Sequence, residues 1–199
     1  MAGAGPSPRQ KINSTGRIPS RDTLMTEEIP YRVTGQIGEI EFRAYPAIRV
    51  ASVSGYADNE AFMFLFRFIT GKNRAQKKIA MTAPVITAET LPMTAPVISD
   101  ASTMSFVMPE QLSLEDLPEP LEPVVKIQEI PPREVAVIRF SGKAEAQAVE
   151  EMTGRLLAAL MQENIPVTGT PFLMRYNAPF VPGFLRRNEV AVSVQRDGT

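Results

Sequence analysis

The chain contains no cysteine and no histidine. Without cysteine there is no disulfide, no thiolate metal site and no cysteine nucleophile. Without histidine the usual general base, the usual zinc ligand and the usual haem ligand are all missing. Any catalysis would fall to Asp, Glu, Lys, Tyr or Ser. No segment approaches the roughly 18 consecutive apolar residues that span a bilayer. The formal net charge of −1 gives no electrostatic reason to expect nucleic acid or an anionic membrane as partner.

What is present suits one globular domain. The 199 residues are 44% hydrophobic and 22% charged, enough for a sizeable core. Residues 25–199 read as a single domain. Residues 1–24 carry Arg9, Lys11, Arg17 and Arg21 among serines and threonines, with no acid before Asp22. That stretch lacks the apolar run of a secretory signal and reads as a flexible tail, with an organelle transit segment as the alternative. The expected location is therefore cytoplasmic, unless the tail is such a segment.

The most informative stretch runs from Asn59 to Val85. Asp58 or Asn59 is the expected N-cap of a helix that ends before Gly71. At 100° per residue, Phe62, Leu65, Phe66 and Ile69 form a core stripe. Met63, Phe64 and Phe68 fall on the other side, with Arg67 among them. A helix side of that kind needs a second packing layer, a partner or a bound ligand to cover it. Gly71 to Lys78 then forms a basic loop, read as a solvated connection or as a cationic rim beside the helix.

The rest of the chain reads as strands and one further helix. Tyr31–Thr34, Ile37–Tyr45 with a turn near Gly35, and Ile48–Val53 are expected strands before the first helix. Met81-Thr-Ala-Pro-Val-Ile86 recurs as Met93-Thr-Ala-Pro-Val-Ile98, and its proline confines each copy to a sheet edge or a bulge. Thr103–Met108 is another strand. Glu110–Pro123 is an acidic, proline-rich link. Val124–Glu129 and Glu134–Phe140 are strands, and Ala144–Asn164 is a helix with Val149, Met152, Leu156, Leu157 and Leu160 inward. Thr170–Tyr176 and Glu189–Val194 close the chain. The order repeats, with pseudo-repeats near 31–108 and 124–194 and with Gly55 and Gly142 matched. Two β-α-β-β units imply an α+β fold with a curved antiparallel or mixed sheet and two packed helices.

Several separate blocks then resemble one family. Ile69-Thr-Gly-Lys-Asn73, Lys78-Ile-Ala-Met-Thr-Ala-Pro-Val85, Ser105-Phe-Val-Met-Pro109, Pro132-Arg-Glu-Val-Ala-Val137 with Phe140-Ser-Gly142, and Arg187-Asn-Glu-Val190 resemble the SOUL haem-binding protein family. The resemblance implies duplicated β-α-β-β units forming a distorted antiparallel β-barrel flanked by two helices. It also implies likeness to the effector-binding domains of bacterial multidrug-response regulators. It further implies non-covalent binding of haem or a related tetrapyrrole, between the first helix and the loop before the last strand. On this chain the cleft would be lined by Met63, Phe64, Arg67 and Phe68, and by Phe180, Val181 and Phe184. Some members carry a histidine iron ligand where this chain has Ala44, so the axial histidine is expected to be absent. Met63 or Tyr45 would be the remaining iron ligands. Arg186 and Arg187 read as a solvated turn with Glu189 in pairing range.

Three other readings stand beside that one. The cleft would suit other bulky apolar small molecules. As an interaction module, the helix side would dock a partner or form a weak homodimer. As an enzyme, the chain would draw on Glu60, Glu134 or Glu189, but none has a second titratable group in a recognisable arrangement. The sequence therefore favours a binding protein over an enzyme.

Overall fold

The computed structural model describes residues 27–88, 103–177 and 181–196. The N-terminal stretch 1–24, the second Met-Thr-Ala-Pro-Val-Ile copy and Phe180 lie outside the described residues. The elements before the midpoint are β1 (Glu27–Glu28), β2 (Arg32–Ile37), β3 (Ile40–Tyr45), β4 (Ile48–Ser54), helix α1 (Asp58–Ile69), β5 (Thr82–Ala88) and β6 (Thr103–Val107). After it come β7 (Lys126–Ile130), β8 (Arg133–Ser141), helix α2 (Ala146–Gln162), β9 (Phe172–Arg175), a 3-10 turn (Gly183–Leu185) and β10 (Arg187–Ser193).

All ten strands join one sheet, in the order β2-β3-β8-β10-β9-β5-β6-β4-β7, with β1 added beside β5. Every pairing is antiparallel except that of β1 with β5. The expected barrel is a curled half-barrel, open between edge strands β2 and β7. Outside β2 the order reads alike from either end: β3 answers to β7, β8 to β4, β10 to β6, and β9 to β5. Each helix follows one strand and precedes two, and each is approached through a left-handed glycine, Gly55 at φ 81° and Gly142 at φ 112°. A side chain there would be strained, which is why glycine closes both strands.

Both helices pack on the same face of the sheet. Ala61, Leu65, Phe68 and Ile69 of α1 cluster with Ala51, Val53, Met104 and Phe106. Val149, Leu156 and Leu160 of α2 cluster with Phe42, Ile138, Leu173 and Val190. The opposite, concave face closes on itself without a helix, through Tyr45, Val50, Ile86, Val107, Val137, Met174 and Ala191, with Ile29 laid across them. Alternation along each strand enforces this division, as in Val190, Ala191 and Val192.

Of the two places expected for the first Met-Thr-Ala-Pro-Val-Ile proline, the structure takes the bulge: Pro84 sits in β5, which is central and paired on both sides, at an irregularity between Thr82 and Val85. Three local expectations are corrected. The first hairpin turns at Gly38 (φ 56°), while Gly35 lies within β2 beside a register shift. The cap of α1 is Ala57 without a side-chain bond, and Asp58 joins Glu60 in the first turn, where acids complement the helix dipole. Finally, Phe68 is buried and Phe66 exposed, the reverse of the expected stripe. Leu117 from the acidic link and Val125 just after it join the α1 cluster, so the helix has cover that a sheet alone would not give.

The loop after α1 hangs on Asn73, which is buried. Its Nδ2 donates to Phe68 O at 2.9 Å and Lys77 O at 2.7 Å, and its Oδ1 accepts from Lys77 N at 3.0 Å. Lys72, Arg74, Lys77 and Lys78 around it are exposed, which fits a solvated connection. Asn73→Ala is expected to cost about 2–3 kcal/mol, since it strands buried carbonyls. A urea midpoint within error of wild type would contradict this.

Candidate functional site

Helix α1 presents its apolar excess along one flank. Met63 is 44% and Phe66 41% exposed, and their i, i+3 spacing makes them neighbours on the helix surface. Phe62, half-buried, stacks on Phe66 with ring centroids 5.9 Å apart and meets Phe106 edge-on at 5.3 Å. Phe64 is half-buried against Tyr56, with centroids 5.1 Å apart. Arg67 is half-buried and makes no ion pair among the described residues. Phe68 is enclosed by the protein's own core and offers no surface to a ligand.

The loop before β10 supplies a second apolar surface. Phe184 is 77% and Leu185 62% exposed, while Val181 is half-buried. The loop is pinned rather than free at its C-terminal end. Arg186 Nε donates to Val181 O at 2.8 Å and Gly142 N donates to Arg186 O at 3.2 Å. Gly183 lies so close to the Lys143 stem that an added Cβ would meet its Cγ at 3.0 Å.

Between the start of α2 and the end of β9 lies a cavity of about 220 Å³, lined by Lys143, Glu145, Arg175, Asn177, Arg186 and Asn188. Arg175 ties it to the first helix, pairing with Asp58 at 3.3 Å and donating to Thr87 Oγ1 at 2.7 Å. Asn177 Oδ1 accepts from Arg187 N at 2.7 Å, and Asn188 Nδ2 donates to Gly142 O at 2.9 Å. Sequence reading missed Lys143, Arg175, Phe66 and Leu185. The one available signal was the exposed-looking Phe-Leu pair beside Gly183.

The concave face holds a buried charge network instead of a cavity of that size. Glu189 is fully buried and takes Arg43 at 2.7 Å and 3.2 Å, Arg187 at 2.8 Å and 3.0 Å, and the Tyr176 hydroxyl at 2.7 Å. Burial alone would raise the Glu189 pKa, but hydrogen bonds and charge from Arg43, then Arg187, hold it below the usual carboxylate range. Burial pushes the Tyr176 phenol well above its ordinary value, and the Glu189 charge adds to this. Arg187 also stacks over Tyr176 at 3.8 Å, and Arg43 over Tyr31 at 4.3 Å. The expected pairing of Arg187 with Glu189 is present. The turn is not merely solvated.

The remaining sequence candidates are dispersed. Ala44 sits in β3 opposite Glu134. Tyr45 lies in the concave cluster, away from both helices, with burial raising its phenol pKa, so a phenolate facing α1 is not available from it. Glu60 is exposed in the first turn of α1. Glu134 receives Thr34 and lies 3.7 Å from Arg196. No group of three or more acidic metal ligands occurs among the described residues. No helix of the described residues is long and apolar enough to cross a membrane.

A curled antiparallel sheet with two helices on one face defines an α+β half-barrel domain. Solved structures share that fold. The C-terminal domain of EcmrR superposes with a TM-score of 0.58 at 11% identity, covering 84% of this chain and 99% of that one. A hydrolase encoded by lin2189 from Listeria innocua gives 0.55 at 10% identity, covering 79% and 92%. Sequence is more specific. The family model described as SOUL heme-binding protein matches residues 26–193, and human Heme-binding protein 2 is 32% identical over 163 residues, 78% of each chain. The chain belongs to the SOUL haem-binding protein family.

Proposed function

We propose that the protein binds haem or a related tetrapyrrole non-covalently on the helix-bearing face, between the outward flank of α1 and the loop before β10. The observation that carries this is the pair of exposed apolar surfaces, Met63 with Phe66 on one element and Phe184 with Leu185 on the other. A flat, largely apolar dianion needs two apolar walls and a cation for its carboxylates. Arg67 supplies a cation from the helix, and family membership supports the class of guest. Covering about 300 Å² of apolar ligand surface at about 25 cal/mol per Å² yields on the order of 7 kcal/mol before association costs. That supports a micromolar site without an iron bond, suited to carrying, buffering or sensing its guest. The sequence has no axial histidine to offer, and Met63 is the thioether nearest such a site.

We read the protein as a binder and not an enzyme. Supporting this, its deepest carboxylate, Glu189, is taken up by two arginines and a tyrosine. The palindromic strand order supports a duplication within one domain, in which the first helix carries two apolar neighbours, Met63 and Phe66, exposed side by side.

Titration with haemin and with iron-free protoporphyrin IX tests the proposal. Both are expected to bind saturably within a few-fold of each other. Phe66→Glu and Phe184→Glu should each weaken both by about tenfold, because a carboxylate replaces apolar contact. Absence of binding, together with a concentration-dependent shift to dimer, would overturn the reading in favour of a docking surface.

A further inference from the structure

The cavity between α2 and β9 is the feature that the apolar walls leave unexplained. We infer that it seats the carboxylate groups of the bound pigment, with Lys143 as the charge that selects them; this rests on the reading above. Three cations, Lys143, Arg175 and Arg186, line it against the one carboxylate of Glu145 among the described residues. Asp58 offsets Arg175 from the side of α1. Its volume of about 220 Å³ admits a carboxylate with accompanying water, whereas the spaces on the concave face measure about 20 and 10 Å³.

Lys143 is singled out by how it is held. Its stem lies against Gly183, the residue beside exposed Phe184, so the apolar wall and the charge are positioned by one contact. It makes no ion pair among the described residues, while Arg175 is held by Asp58 and Thr87. An exposed ammonium whose stem passes Gly183 beside an open cavity is a point charge available to a carboxylate. Asn188, buried beneath, fixes the floor by its bond to Gly142 O. The apolar flank of α1 and the loop thus cover the ring, and the start of α2 receives carboxylate in addition to the cation that Arg67 offers from the helix.

Fluorescence titration of protoporphyrin IX and its dimethyl ester, in the same detergent dispersion, tests this. Wild type should prefer the diacid by about tenfold, the worth of one charge-assisted hydrogen bond. Lys143→Met, which keeps the stem against Gly183, should lose about tenfold for the diacid and nothing for the diester. Lys143→Arg should retain the preference. Equal binding of both porphyrins by wild type, or equal losses for both in Lys143→Met, would overturn this inference and leave the binding site standing. Failure of wild type to bind either would sink the pigment reading and this inference with it.

Discussion

Glu189→Ala is expected to lose about 3–5 kcal/mol of stability, because it removes the buried carboxylate that Arg43, Arg187 and the Tyr176 hydroxyl share and leaves their donors unpaired. A domain of this size has about 5–15 kcal/mol in total, so the variant should be largely unfolded at modest urea concentrations. Arg43 is only 3% exposed and spends two of its donors on Glu189. Each arginine keeps a second carboxylate, Arg187 in Glu28 at 3.2 Å and Arg43 in Glu41 at 2.8 Å, so the loss should come from the buried donors that Glu189 alone accepts. Replacing Arg43 and Glu189 together with methionines should restore part of the loss, since paired removal avoids the stranded charge. A urea midpoint for Glu189→Ala within error of wild type would contradict the account.

The same network fixes the pH dependence. Glu189 has a folded pKa below its unfolded value of about 4.3, so its contribution is present above that pH and is lost as the pH falls through the folded value. Tyr176 is shifted upward, so its contribution is present below about pH 10 and is lost as the pH rises through its folded value. Urea midpoints measured from acid to alkali should show a plateau with losses at both ends. The acid loss should shrink in the double methionine variant.

The second large effect separates core from site. Phe68→Ala should cost about 3–5 kcal/mol, because Phe68 is 1% exposed within the α1 cluster. Haemin affinity of the folded fraction should stay within about twofold of wild type, because the ring is enclosed by the protein's own core. A selective loss of affinity with unchanged stability would mean that Phe68 lines the site after all.

The elements themselves were legible because they announce themselves locally. Strand alternation placed β3, β4, β8 and β10, and Gly55, Gly71 and Gly142 marked real breaks at positive φ. The face of α1 was not legible. Helical period fixes which residues share a side, but Leu117 of the acidic link and Val125 just after it pack into the same cluster, and the covered arc includes Phe68. Sequence distance hid the cation cavity, since Lys143, Arg175 and Arg186 come from three separate segments. The network at Glu189 was half visible: Arg187 is two residues away, but Arg43 arrives from β3 across β8.

Arg186, Arg187, Asn188 and Glu189 alternate between two surfaces with different duties. Arg186 and Asn188 line the open cavity, whereas Arg187 and Glu189 belong to the sealed charge cluster. Adding or deleting one residue inside this run would exchange the two sets and spoil both. Insertions a few positions earlier, in the loop, meet no such veto. Descendants of this chain are therefore free to reshape what they hold by altering loop length and tip, while the frame beneath stays locked in register.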